Sequence, residues 1–247
     1  MSNLLLNSVY PERRFIGFTR VDGTVHFLSC VQALLSSNSI VLDVGCGRGQ
    51  SEEDPSPFRS QLRNFRAGGR KVIGIDVDPA GESNPLIDEF RKIDDVGQWP
   101  VADSSVQIVF ADYVLEHVQD PQAFFREAVR VLQPNGYFCA RTPNFLGYGA
   151  FLSWLVPNRL HENILARVQP EKKSVDIFPT VYRCNTKWRL KRTLRAAGFE
   201  GVVYSIEAEP PYLQSFPKLF RVASYVVPYF PSLLKSTLLV FGRKPDG

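Results

Sequence analysis

The chain has 247 residues, 44% of them hydrophobic, and a formal net charge of +4. That length suits one large α/β domain with a sizeable core, and the charge is too weak overall to require a nucleic-acid partner. No apolar run reaches the roughly 18–20 residues of a membrane span. The four cysteines form no CxxC pair or disulfide framework, and the N-terminal apolar run is too short for a signal peptide, so the chain reads as cytoplasmic.

Residues 1–36 read as a lead-in, within which "SCVQALLSS" has the apolar spacing of a short helix. A buried-strand run follows at 39–44 and is ended by glycines. Residues 59–66, "RSQLRNFR", read as a helix with Asp54 as N-cap and Pro55 at its first position. "RKVIGIDVDP" is a second strand that ends in acids, residues 89–93 are a weak third, and "SVQIVFADY" is a fourth. "PQAFFREAVRVLQPNG" is an amphipathic helix, opened by Pro121 and stopped by Pro134-Asn135-Gly136. "YFCARTPN" is a fifth strand.

After Asn144 the rhythm changes. Residues 145–184 are rich in aromatics, prolines and basic residues and contain no clean strand. "NTKWRLKRTLRAAGF" restores a helix, capped by Asn185 or Thr186 and closed by Gly198. "GVVYSIEAE" and "STLLVFGRKP" are the last strands, on either side of an irregular apolar stretch. Strands alternating with helices imply a mostly parallel sheet covered on both faces. Its ligand crevice should lie at the carboxyl ends of the strands, where their order reverses.

The first strand runs into Asp43-Val44-Gly45-Cys46-Gly47-Arg48-Gly49. Glycines let the backbone turn sharply and approach a ligand closely. Asp43, two residues before the first glycine, would repel a pyrophosphate and favour an ammonium group. The next strand ends "GIDVD", which places Asp76 to accept hydrogen bonds from ribose hydroxyls and Val77 to pack against an adenine face. A nucleoside that carries an amino acid satisfies all these groups, and S-adenosylmethionine is such a molecule. A nicotinamide-dependent oxidoreductase fits less well, because of Asp43 and the missing GxGxxG spacing. The acids Glu52, Glu53 and Asp54 after the glycines read as a helix cap or as a rim at the cofactor's methionine end.

These segments resemble the class I S-adenosylmethionine-dependent methyltransferases, in the branch called methyltransferase type 11. "VLDVGCGRG" is similar to the first motif, "VIGIDVD" to the second, and "IDDVGQWPVADSSVQIVFADYVLEHVQDPQAFFREAVRVLQPNGYF" to the stretch that follows. The resemblance implies a Rossmann-like, seven-stranded, mostly parallel sheet with helices on both faces and an antiparallel last strand. It implies a core of about 37–144, 185–207 and 236–245, with cap insertions at about 145–184 and 208–235. It assigns the cofactor S-adenosylmethionine to Asp43, Gly45, Cys46, Gly47, Asp76, Val77 and Ala111, with Asp95 at the adenine amino group and Val96 beside it.

Methyl transfer from a sulfonium needs alignment of the acceptor and exclusion of water. It needs a base only if the acceptor loses a proton on attack. His117, just past the fourth strand, is the candidate base, and capping of the following turn is its plainer role. A related quinone-modifying branch binds a metal through Glu-x-x-Glu-His. Tyr113 stands at the first of those positions, so no metal is expected. Tyr113, Tyr148, Trp154, Tyr182 and Arg183 are candidates to line the acceptor site. "ADYV" after the fourth strand lacks the Asn/Asp-Pro-Pro-aromatic motif of enzymes that methylate nucleic-acid bases or glutamine.

Residues 155–195 carry ten Lys or Arg against three Asp or Glu, which suits a solvated face or an anionic substrate or lipid. The apolar stretch 211–234 reads as packing against the first cap, or as a peripheral membrane contact. The expected activity is methyl transfer to an oxygen of a small, saccharide or lipid-linked acceptor. A non-catalytic S-adenosylmethionine-binding module is the alternative.

Overall fold

The computed structural model describes residues 2–49, 56–148, 179–210, 213 and 215–246. Seven strands form one sheet: β1 Ile40–Val44, β2 Lys71–Asp76, β3 Glu89–Lys92, β4 Val106–Asp112, β5 Leu132–Pro143, β6 Glu200–Ile206 and β7 Thr237–Arg243. Their order is β3-β2-β1-β4-β5-β7-β6. Neighbours are parallel except at β7, which runs antiparallel to both β5 and β6. The chain starts in the middle, moves out to β3 and returns at β4, so the switch point lies between β1 and β4. A crevice opens there at the carboxyl edge.

Both faces of the central sheet are covered, which is why β1, β2 and β4 read as apolar runs. On one face Leu42, Val44, Val109, Ala111, Phe138 and Ala140 meet α5 (Pro121–Val131) and α6 (Lys187–Ala196). On the other, Val41, Val72, Ile108, Phe110 and Cys139 meet Phe27, Leu28 and Val31 of α3 (Gly23–Gln32), with α4 (Pro57–Arg63) beside it. α5 buries Phe124, Phe125, Ala128 and Val131, one stripe at helical spacing, and its N-cap Asp120 accepts from the Ala123 amide at 3.0 Å.

Three local expectations are corrected. α4 starts at Pro57, not at Asp54-Pro55, and Ser56 is its cap; residues 50–55 lie outside the described residues. α5 ends at Val131 and the chain enters β5 at once, so Pro134-Asn135-Gly136 lies inside the strand's opening instead of stopping the helix. Asn135 takes a left-handed φ of 64° there. The lead-in is folded as α1 (Ser2–Val9), α2 (Arg13–Ile16) and α3, the last capped by the Asp22 carboxylate on the Thr24 and Val25 amides.

The stretch after β6 contains α7 (Pro217–Val226). Its buried Phe220 packs on Leu5, Val9 and Tyr10 at α1. Among the described residues it touches the start of the first cap through the Tyr148–Phe230 ring contact at 6.1 Å. Packing on the N-terminal helix is thus added to the contact expected with the first cap, most of which lies outside the described residues. Asn144, at the end of β5, fixes the segment's far end by donating to the Leu233 and Lys235 carbonyls, each at 2.8 Å.

Candidate active site

Gly45, Gly47 and Gly49 all adopt left-handed backbone, with φ of 68°, 51° and 73°. A Cβ on Gly45 would lie 2.6 Å from Val114 Cγ2, whereas a Cβ on Gly47 would meet no atom within 4 Å. Among the described residues nothing fills the space over Gly47. Asp76, at the end of β2, holds the turn: its Oδ2 accepts from the Gly47 amide at 2.9 Å and its Oδ1 from the Asp78 amide at 2.9 Å. Asn84 Nδ2 donates to the Cys46 carbonyl at 2.8 Å, and Cys46 itself is buried.

Asp43 is buried one turn earlier. Burial pushes its carboxyl up to about 7; the Arg63 guanidinium opposes this, and Asp112 and Asp76 add to it. Beside it stands a charged cluster that the sequence reading did not single out. Arg141 of β5 donates twice to Asp112 of β4, at 2.7 and 2.8 Å, and Arg63 of α4 donates to the same carboxylate at 2.5 Å. Burial alone would raise Asp112, but the two guanidinium groups hold it at about 2. Arg141 also donates to Thr24 Oγ1 at 2.7 Å. A charged residue in the middle of an apolar strand, as in "YFCARTPN", was the available signal.

The adenine-side candidates sit on open surface past β2 and β3. Val77 is 43% and Val96 70% exposed, and Asp95 accepts from the Gly97 amide at 2.8 Å. Ala111 differs: its side chain is fully buried in the core on the α5 face, which leaves only its main chain near the strand end.

On the acceptor side, Tyr113 follows β4 with a φ of 58°, and the Arg141 guanidinium lies 4.7 Å over its ring. A bulky residue held in left-handed backbone is strained, and such strain concentrates at functional sites. Tyr182 has a φ of 49° and packs against Phe145 at 5.7 Å. The Val181 and Tyr182 amides donate to the Glu116 carbonyl at 2.8 and 3.1 Å. The buried Glu116 carboxyl, pushed up by burial, accepts from Thr142 Oγ1 at 2.9 Å. His117 Nδ1 lies 3.1 Å from the Pro179 carbonyl, a tether between the loop after β4 and the returning chain. Tyr148 packs on Phe230, Arg183 is exposed, and Trp154 lies outside the described residues. Among the described residues no group of three His, Cys, Asp or Glu could hold a metal ion.

A seven-stranded sheet of this order, with Asp43, the glycine turn and Asp76 at its switch point, has the fold of the class I S-adenosylmethionine-dependent methyltransferases. The family described as a methyltransferase domain matches residues 42–140. A Mycolicibacterium smegmatis protein, described as a probable S-adenosylmethionine-dependent methyltransferase, is 32% identical over 108 residues, 42% of this chain and 38% of its own. The malonyl-acyl-carrier-protein O-methyltransferase of Hahella chejuensis is 30% identical over 107 residues, 41% of this chain and 36% of its own. The chain thus spans well under half the length of these curated relatives. Among solved structures, the cyclase SpnF shares the fold with a TM-score of 0.58 and 20% identity, over 99% of this chain and 93% of its own. The match to the methyltransferase-domain family takes in the glycine turn, Asp76 and β4.

Proposed function

We propose that the chain transfers a methyl group from S-adenosylmethionine to an oxygen of a small, saccharide or lipid-linked acceptor. The observation that carries this reading is the buried Asp43 carboxyl beside a left-handed glycine turn, over whose Gly47 no described residue lies. The cofactor supplies a methyl group on a sulfonium, already activated for displacement. Asp43 would hold its ammonium group, the Gly45–Gly47 main chain would face the amino acid, and Asp76 would accept from the ribose. Val77 and Val96 would cover the adenine, with Asp95 at its amino group. Tyr113 and Tyr182 would position the acceptor, and His117 is the candidate to take its proton.

An oxygen acceptor accords with the Hahella relative, named as an O-methyltransferase. A lipid-linked acceptor draws support from α7, which exposes Leu219, Val222, Tyr225 and Val226 while burying Phe220, Ala223 and Ser224. The chain carries no Asp or Glu from Pro210 to Pro245, but it does carry Lys218, Arg221 and Lys235. An apolar face with a cationic rim suits peripheral contact with an anionic leaflet. No described helix is long and apolar enough to cross a membrane. Incubation of the purified chain with methyl-labelled cofactor and metabolite or lipid extracts tests the reading. Label should enter an organic acceptor. Binding of S-adenosylhomocysteine without any transfer would leave only a binding module, and binding of NAD in its place would overturn the reading.

A further inference from the structure

A cleft of about 490 Å³ lies between the start of α5 and the start of α6. Arg183, Arg189, Arg192, Trp188, Gln119 and Gln122 line it, and no Asp or Glu is among its described lining residues. Asp120, the nearest acid in sequence, is engaged as the α5 cap. The N-terminal turns of both helices open here, through Gln122 on α5 and Trp188 and Arg189 on α6. Each brings the positive end of a helix dipole to a space that already faces three guanidinium groups. Arg192 lies 5.0 Å over the Trp188 ring, and Arg189 donates to the Arg183 carbonyl at 3.4 Å, so two of the three are held in place. Trp188 is nonetheless 65% exposed.

Guanidinium groups gathered in one cleft repel one another, and that cost is relieved by a multiply charged anion. Planar forks that donate several N–H groups match phosphate oxygens. The volume suits a phosphorylated sugar. The cleft adjoins the acceptor side of the crevice, because Arg183 directly follows Tyr182, whose amide is bonded to the Glu116 carbonyl.

We propose that this cleft seats a phosphate or diphosphate group of the methyl acceptor, with Trp188 against the ring that bears it. The link to the acceptor rests on the methyltransferase reading; the anion site itself does not. Such a group occurs both on free sugar phosphates and on lipid-linked ones.

Inorganic pyrophosphate is the probe, followed through Trp188 fluorescence and calorimetry at constant ionic strength. Saturable binding is expected, with the fluorescence change lost in Trp188→Phe. Arg183→Gln and Arg192→Gln should each weaken binding about tenfold, the loss of one charge-assisted hydrogen bond, and leave S-adenosylhomocysteine affinity unchanged. No saturable binding, equal binding of acetate, or wild-type affinity in both arginine variants would overturn the site. With label transfer from an extract established, inhibition by pyrophosphate supports the link to the acceptor, and indifference to it overturns that link. Label recovered in the lipid phase or in the water-soluble phase distinguishes the two sources. Pyrophosphate binding without any methyl transfer counts against the methyltransferase reading alone.

Discussion

Cofactor affinity should rise with pH between 6 and 8, and Asp43 should be the cause. Without ligand its carboxyl stays protonated up to about 7, because burial disfavours the charge and Asp112 and Asp76 add to the cost, against Arg63. An ammonium group needs the carboxylate. The ionised fraction is about one in eleven at pH 6 and ten in eleven at pH 8, so the apparent dissociation constant should fall about tenfold over that interval. At pH 7 binding should release about half a proton, as the ammonium draws the carboxyl back to its ordinary range. Above a pH of about 8 the cofactor's own amino group begins to lose its proton, which caps the rise. Calorimetry with S-adenosylhomocysteine, in buffers of different ionisation enthalpy, reads both quantities. Stability gives an independent check. Between pH of about 4 and 7 the folded chain binds more protons than the unfolded one, so stability of the ligand-free protein should fall as pH rises through that window. Asp43→Asn should remove both slopes. A pH-independent affinity with no proton release, or an unchanged profile in a folded Asp43→Asn variant, would refute the assignment of Asp43 to the ammonium.

Gly47→Ala should cost about 1 kcal/mol of stability from left-handed strain, since its Cβ meets no atom of the described residues, but should lose cofactor affinity more heavily. Gly45→Ala should unfold more easily, and Val114→Ala should partly rescue it by removing the 2.6 Å contact; denaturant titration separates the two cases. Asp112→Asn leaves Arg141 buried beside a neutral partner and should cost about 3–5 kcal/mol. The wild-type ion pair is fully present above a pH of about 4, the unfolded value, and should weaken as pH falls through about 2; equal acid stability of the two proteins would contradict it. Vesicle flotation tests the α7 face: the chain should float with anionic but not neutral vesicles, and Val222→Glu with Tyr225→Glu should abolish it. A full-length protein that ignores anionic vesicles would end that part of the proposal.

The central strands β1, β2 and β4 were legible because a strand buried on both faces must be apolar along its length, whereas the edge strands β3 and β6 carry charged or exposed residues and read more weakly. Exact helix starts were less so. "DPSP" offers two cap-and-proline pairs two residues apart, Asp54-Pro55 and Ser56-Pro57, and local chemistry does not separate them; the helix uses the second. Pro134-Asn135-Gly136 carries turn chemistry wherever it lies, and here it serves the irregular opening of β5, where the register against β4 shifts between Val106 and Ile108. The packing of α7 on α1 joins segments some 210 residues apart, a distance at which no periodicity speaks.

Within the site, the legible part is the part that the sheet itself builds. Asp43, the glycines and Asp76 occupy strand ends, so their chemistry is tied to short local motifs. Arg63, Asp112 and Arg141 come from three elements and meet only in the folded state. The cluster nevertheless modulates Asp43, which burial raises most: Arg63 lowers and Asp112 raises its affinity for a proton. Acceptor recognition is less legible for a chemical reason. The sulfonium brings its own activation, so methyl transfer demands placement and dryness, not a fixed set of catalytic side chains. Different residues can supply those two services, and no short motif encodes them. The strained Tyr113 and Tyr182, and the arginine cleft beside them, are therefore where selectivity for the acceptor should be sought.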